Sequence, residues 1–278
     1  MKITILTIIS LLNFYILAQN PETIEFKLKK ESEGGYKYKI EFSALKSDTS
    51  IKHGEYKRYN ILKDLEETGF YKYGQKDSIW KTYSAGKMVN SVGIYKNNKK
   101  EGLWNYYINI PKSWNPTPLK SGNYKNDSID GIWTYYYRNG EIEQKFDHTT
   151  NSIIYYSKDY ENKKWIIKEN NEVQNKIIEV LPMLIGGNVT SSENWQKMDF
   201  GLMSELSNND QDVSYGLTFW IKPNGETYGY EMIKSINENF DKYIIEFYKA
   251  NYKWLPGKIN GQNIECKMII NNGYVVQM

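Results

Sequence analysis

Tyr71-Lys72-Tyr73-Gly74 … Ser78-Ile79-Trp80-Lys81-Thr82-Tyr83 is the first clear copy of a pattern this chain writes three times. The second is Tyr95-Lys96-Asn97-Asn98 … Gly102-Leu103-Trp104-Asn105-Tyr106-Tyr107, and the third is Tyr124-Lys125-Asn126-Asp127 … Gly131-Ile132-Trp133-Thr134-Tyr135-Tyr136. The tryptophan steps are 104 − 80 = 24 and 133 − 104 = 29, the longer one accommodating the segment Pro111 to Pro118. A weaker copy, His53-Gly54-Glu55-Tyr56-Lys57-Arg58-Tyr59, stands one period earlier. Self-similarity at such a period marks stacked supersecondary units that share a core, an architecture that more often holds a partner than carries chemistry.

Each unit reads as two short strands joined by a polar turn, placed at Gly74 to Asp77, Asn97 to Lys100 and Asn126 to Asp130. Glycine and asparagine at these offsets supply the positive φ that tight hairpins need. Residues three apart in a strand face opposite ways, so Trp80 and Tyr83, Trp104 and Tyr107, and Trp133 and Tyr136 put one ring on each face. Either both rings pack as β core, or one set forms a solvent-facing ladder that stacks on glycan or grips a partner strand. Those six aromatics are the candidate binding residues of this half. Upstream, Thr23 to Leu28 and Tyr36 to Phe42 alternate apolar and polar around Gly34-Gly35, which predicts a leading β-hairpin.

The repeats resemble the MORN-type units of bacterial exported and antitoxin-like proteins, with their G-x-W-x-x-Y-x-x-G pattern. The resemblance runs from Lys52 to about Gly140 and implies a sheet of consecutive antiparallel hairpins. Two positions depart from it: Ser78 replaces the expected glycine and Tyr56 the expected tryptophan.

The 278 residues suffice for roughly two domains. With 25 Tyr and 8 Trp the composition is that of a β-prone folded chain. A net charge of +3, with Lys and Glu scattered along the sequence, argues against an electrostatic nucleic-acid binder. Lys2, the apolar stretch Ile3 to Leu17 and Ala18-Gln19 read as a cleaved export signal over residues 1–18, short and interrupted for a membrane span, with a retained anchor as the alternative. Cys266 is the sole cysteine, so no intramolecular disulfide can form, and its apolar-alternating surroundings read as core.

Residues 141–170 lose the repeat; Ile153 to Tyr156 and Trp165 to Ile167 read as closing strands, and 151–180 as a linker with those strands. Val173 to Leu181 is compatible with strand or helix, and Ser191 to Asn208 with helix. A hairpin follows, Ser214 to Lys222 and Glu226 to Ile233, turning at Pro223-Asn224-Gly225. Asn239 to Asn251 has helical apolar spacing and ends before Trp254-Leu255-Pro256-Gly257. Asn263 to Ile270 is the final strand.

This order resembles the C-terminal domain of TonB-type proteins, in the Bacteroidetes version. The matching residues are Pro182, Gly186 and Gly187, then Pro223-Asn224-Gly225, then Trp254, Pro256, Gly257, Asn260 and Gly261. The resemblance covers Leu181 to Val275 and implies a small α+β domain with an exposed sheet edge that accepts a peptide strand. By resemblance that edge is the last strand, with Ile264, Cys266, Met268 and Ile270 as candidate binding residues. With 7 prolines and no run of them, the chain lacks the long span an energy transducer needs.

Catalytic patterns are missing. His53 and His148 have no His or Cys at ligand spacing, and no G-x-S-x-G, P-loop or G-x-G-x-x-G occurs. Glu31/Glu33 and Glu66-Glu67 read as solvated charges. The expectation is a mainly β repeat sheet over 19–150 and a TonB-like α+β domain over 181–278. The corresponding function is a periplasmic or secreted, non-enzymatic adaptor of the cell envelope, without metal or cofactor, that binds a protein partner. Binding or processing an envelope glycan through the aromatic face is the alternative; an antitoxin-like role conflicts with export.

Overall fold

The computed structural model describes residues 23–33, 36–84, 88–108, 116–206, 214–271 and 274–275. The residues read as an export signal, the expected Gly34-Gly35 and Ala85-Gly86 turns and residues 109–115 of the inserted segment lie outside the described residues. The chain is mostly antiparallel β and divides into two compact units, residues 1–133 and 134–278.

The first unit is a meander in which each strand pairs with its neighbour in sequence. Its strands are β1 (Thr23–Glu33), β2 (Tyr36–Leu45), β3 (Lys52–Tyr59), β4 (Leu65–Lys72), β5 (Gln75–Tyr83), β6 (Val89–Lys96), β7 (Lys99–Ile108), β8 (Thr117–Lys125) and β9 (Ser128–Tyr136). The hairpins inside the repeats turn on two residues, tighter than the sequence reading placed them. Asn97-Asn98 (φ 51° and 65°) and Asn126-Asp127 (51° and 69°) both lie in the left-handed region, as does Tyr73-Gly74. That is the backbone a two-residue hairpin with native strand twist requires. Lys76 and Lys100, expected in turns, therefore belong to strands β5 and β7.

Each second strand of a repeat carries a bulge. Ser78, Gly102 and Gly131 sit at φ 61°, 62° and 61°, and the register shifts between β4 and β5 and between β6 and β7. Ser78 holds the same geometry as the two glycines, so its unit remains regular. Tyr56 pairs with Gly69 and is buried, in the place of a tryptophan.

The second unit contains the hairpin β10 (Ile142–Asp147) and β11 (Ser152–Tyr156) and a second sheet. That sheet comprises β12 (Glu161–Glu169), β13 (Glu172–Val180), β15 (Gly216–Ile221), β16 (Thr227–Lys234), β18 (Gly257–Ile259), β19 (Gln262–Asn271) and β20 (Tyr274–Val275). Two further short strands, β14 (Met183–Leu184) and β17 (Trp254–Leu255), pair with each other. The helix-compatible stretch forms two short helices, α1 (Gly187–Trp195) and α2 (Phe200–Leu206). The long helix is α3 (Glu238–Asn251). The Asn237 side chain accepts the Phe240 N–H at 3.0 Å and caps α3. Phe240, Ile244, Phe247 and Tyr248 recur at helical spacing and join Leu217, Phe219, Ile221, Cys266, Met268 and Ile270 in one core.

Within 151–180, expected as a linker with closing strands, Trp165 to Ile167 do form a strand. Strands β12 and β13 belong to the second sheet, where Trp165, Ile167 and Ile178 fill the core. The division between units falls at 133/134, ahead of the boundary at 150.

Candidate functional site

The first unit's sheet has two unlike faces. On one, Trp80, Trp104 and Trp133 form a buried row. Trp80 lies opposite Gly93 and Trp104 opposite Gly122. A Cβ at Gly69, Gly93 or Gly122 would come within 2.1–2.3 Å of a carbon of the Trp80, Trp104 or Trp133 indole respectively, so glycine is what lets each ring lie on the preceding strand. The indole N–H donates across the bulge to a backbone carbonyl ten residues earlier: Trp80 to Phe70 at 3.0 Å, Trp104 to Ile94 at 3.1 Å, Trp133 to Asn123 at 3.0 Å. Tyr95 and Tyr124 stand edge-on between successive indoles, and Tyr71 between Tyr56 and Trp80, at 5.1–6.1 Å, the geometry aromatic quadrupoles favour. Three of the six aromatic candidates are thereby corrected: the tryptophans are core and cannot form a solvent-facing ladder.

Tyr83, Tyr107 and Tyr136 are half-buried. Tyr83 meets the Thr68 hydroxyl at 3.4 Å, and Tyr107 lies opposite Pro118. The more exposed feature of that second face is a row of aliphatic and aromatic side chains one residue away from the tryptophans and glycines. Phe70, Ile79, Ile94, Leu103 and Ile132 are each 43–55% exposed. Ile79 and Ile94 are direct register partners, so the row crosses the strands. Its members are the residues before each Trp (Ile79, Leu103, Ile132) and after the paired Gly (Phe70, Ile94), positions that the repeat pattern does not mark.

In the second unit β19 is not an edge, which corrects the expectation drawn from the TonB resemblance. It pairs with β15 from Cys266 to Asn271 and with β18 from Gln262 to Ile264. It also meets β12 at Ile167↔Cys266 and Lys168↔Glu265, and β20 at Ile270 and Asn271. A peptide strand would have to displace β12, whose Trp165 and Ile167 are buried in the core. Cys266, Met268 and Ile270 are buried and Ile264 is half-buried. Burial pushes the Cys266 thiol up to about 12, against a smaller lowering from the Gly257 N–H. Among the described residues, β16 pairs on one side alone, with β15, as does the two-residue β20, with β19. Strand β16 is the longer of these edges. It is bulged around Gly229 (φ 63°), a device that blunts edges.

A feature missed in the sequence is the pair Glu143 and Gln144, adjacent on β10 and both fully buried. The Gln144 carbonyl accepts the Gly186 N–H at 2.7 Å while its amide donates to the Leu184 carbonyl at 3.2 Å. The Glu143 carboxylate accepts the Tyr160 hydroxyl at 2.9 Å, the Asn188 N–H at 3.1 Å and the Asn188 side-chain amide at 3.0 Å. A Cβ at Gly187 would fall 2.4 Å from that carboxyl, so Gly186-Gly187 is what lets β10 approach the start of α1. Burial raises the Glu143 carboxyl, only partly offset by the Tyr160 and Asn188 hydrogen bonds. With every contact internal, the pair is a latch within the unit. Apart from Tyr160, 17 residues on, its partners lie 40–45 residues away in sequence, and no local pattern announces them.

No three or more His, Cys, Asp or Glu side chains gather as a metal site among the described residues. No described helix is long and apolar enough to cross a membrane.

No family model matches the chain, and no curated protein matches it. Among solved structures it is similar to a crystal structure of TarM, at 11% identity and a TM-score of 0.26 over 87% of this chain. The chain spans 38% of that one's length, and a likeness so slight carries no argument.

Proposed function

We propose that the chain is an exported, non-enzymatic binding protein of the bacterial cell envelope, an adaptor whose first unit docks a protein partner. The supporting observation is the exposed row Phe70, Ile79, Ile94, Leu103 and Ile132. At about half exposure each, these side chains present on the order of 500 Å² of apolar surface, at the upper end of what monomers leave uncovered. Non-obligate interfaces are roughly 57% apolar, so a row of that size corresponds to an interface of ordinary extent, about 800–900 Å² per partner. The strands beneath it are fixed by the tryptophan row on the other face, which makes the surface rigid and its binding cheap in conformational entropy. Partner binding by strand addition, expected at β19, would use β16 instead.

The test is affinity capture from envelope extracts with the intact chain and with an Ile79→Glu/Leu103→Glu variant. Both positions are surface positions, so the variant keeps its melting temperature. The proposal expects a discrete protein retained by the parent chain and lost by the variant. Equal retention by both, or recovery of the chain only from the cytosol, counts against it.

A further inference from the structure

The repeat period aligns more than aromatics. Lys52, Lys76 and Lys100 each stand four residues before the ring of their unit, Tyr56, Trp80 and Trp104, at steps of 76 − 52 = 24 and 100 − 76 = 24. Scattered in the sequence, they become a line in the fold, on the tryptophan face of alternate strands β3, β5 and β7. Successive members are two strand spacings apart, about 10 Å. Their backbones are fixed in one way: the carbonyls of Lys52, Lys76 and Lys100 accept the N–H of Gly74, Asn98 and Asp127, from the following turn, at 2.8–3.1 Å. Each ammonium sits over rings, Lys52 at 5.0 Å from Tyr56, Lys76 at 3.8 Å from Trp80 and Lys100 at 4.6 Å from Trp104.

The same face adds Lys120, 5.1 Å over Tyr106, and Arg58, 5.8 Å over Tyr38. Against these cations stand three carboxylates: Glu67, bonded to Lys76 at 2.7 Å, Glu66, 3.3 Å from Arg58, and Asp127, which accepts the Lys100 N–H at 2.7 Å. The Lys100 ammonium also donates to the Tyr106 hydroxyl at 2.9 Å. The face is thus basic. The opposite face is mixed, with Lys72, Lys96 and Lys125 beside Asp77 and Glu101. The stems of Lys52, Lys76 and Lys100 cover the ring row. Covering rings requires only an aliphatic stem; lysine at each of these three positions, with the tyrosine hydroxyls of Tyr71 and Tyr95 between them, suits a ligand with recurring negative charge.

We infer that the tryptophan face binds a linear anionic polysaccharide, bearing one carboxylate or phosphate about once per disaccharide, along the Lys52–Lys76–Lys100 line. The step of about 10 Å suits an extended β-linked disaccharide and is too long for the successive phosphates of a nucleic acid. The inference uses the face opposite the protein-docking row, so either can fail alone.

The test is binding of the purified full chain to hyaluronan oligosaccharides, which carry one carboxylate per disaccharide, and to a phosphate-bearing phosphomannan. Neutral dextran and oligo-dT serve as comparisons. A Lys52→Met/Lys76→Met/Lys100→Met variant keeps the stems over the rings and loses the charge. Lys72→Met/Lys96→Met/Lys125→Met makes the same charge change on the other face.

The expected result is salt-sensitive binding to one or both anionic glycans, at least roughly tenfold weaker in the first variant and unchanged in the second. The dependence on log salt should fall by up to about three in the first variant, one per lysine. Glu67→Gln, which frees Lys76, should tighten binding. Which glycan binds tells carboxylate from phosphate. Binding to neither glycan, equal loss in the two lysine variants while both remain folded, or preference for oligo-dT overturns the inference.

Discussion

Gly93 is where the first unit's packing is least forgiving. The Trp104 indole cannot retreat from a methyl group there, because its N–H is held by the Ile94 carbonyl. Gly93→Ala should therefore lower unfolding free energy by about 3 kcal/mol, the upper range for an overpacked core, as read by urea denaturation. Ser78 is the converse case. It holds a left-handed backbone (φ 61°) that glycine adopts freely, so Ser78→Gly should raise stability by about 1 kcal/mol. A fall would mean that the Ser78 hydroxyl bond to Asp77, at 3.0 Å, outweighs the backbone strain. At this scale the sequence spoke clearly about the rings: the Trp-x-x-Tyr spacing implied opposite faces, and Trp80 and Tyr83 meet different neighbours. It was silent on the lysines, because assigning Lys76 and Lys100 to turns hid the strand positions that align them.

Among the elements, β19 and β10 decide how the second unit is read. The period-two pattern from Ile264 to Ile270 identified β19 as a strand and Cys266 as core, but not who its neighbours are. Sheet order comes from long-range pairing, and Ile167↔Cys266 joins residues 99 apart in the chain (266 − 167). If β12 covers that edge stably, native Cys266 should resist alkylation at pH 8 and react once the chain is unfolded in guanidinium. Rapid labelling of the native chain would show that the covering opens.

Strand β10 makes a pH prediction. The folded state holds the Glu143 proton more tightly than the unfolded chain does, because burial raises the carboxyl. Unfolding free energy from this group should thus fall as pH rises from the ordinary carboxylate value through the raised one. Glu143→Gln removes that component. The stability of the variant minus that of the parent should increase across this interval, measured by denaturation at several pH values. A constant difference would mean that Glu143 titrates alike in both states.

For the whole molecule, the repeat in the sequence foretold a sheet of consecutive hairpins, and the sheet turned it into two surfaces of different chemistry. The tryptophans, read as possible contact residues, are instead what makes those surfaces rigid. The residues flanking the motif are Ile79 and Leu103, exposed on one side, and Lys76 and Lys100, half-buried over the rings on the other. The motif itself marks the interior of the repeat, whereas the two faces are set by the residues between its glycines and aromatics.

The most direct measurement places a photo-crosslinking amino acid at Leu103 in the full chain, expressed in intact cells, with Lys72 as the comparison position on the same face. The account predicts a discrete crosslinked protein from Leu103, weak or absent from Lys72, and abolished by Ile79→Glu in the Leu103-labelled chain. No adduct from Leu103, or the same adduct from both positions irrespective of Ile79→Glu, would contradict it.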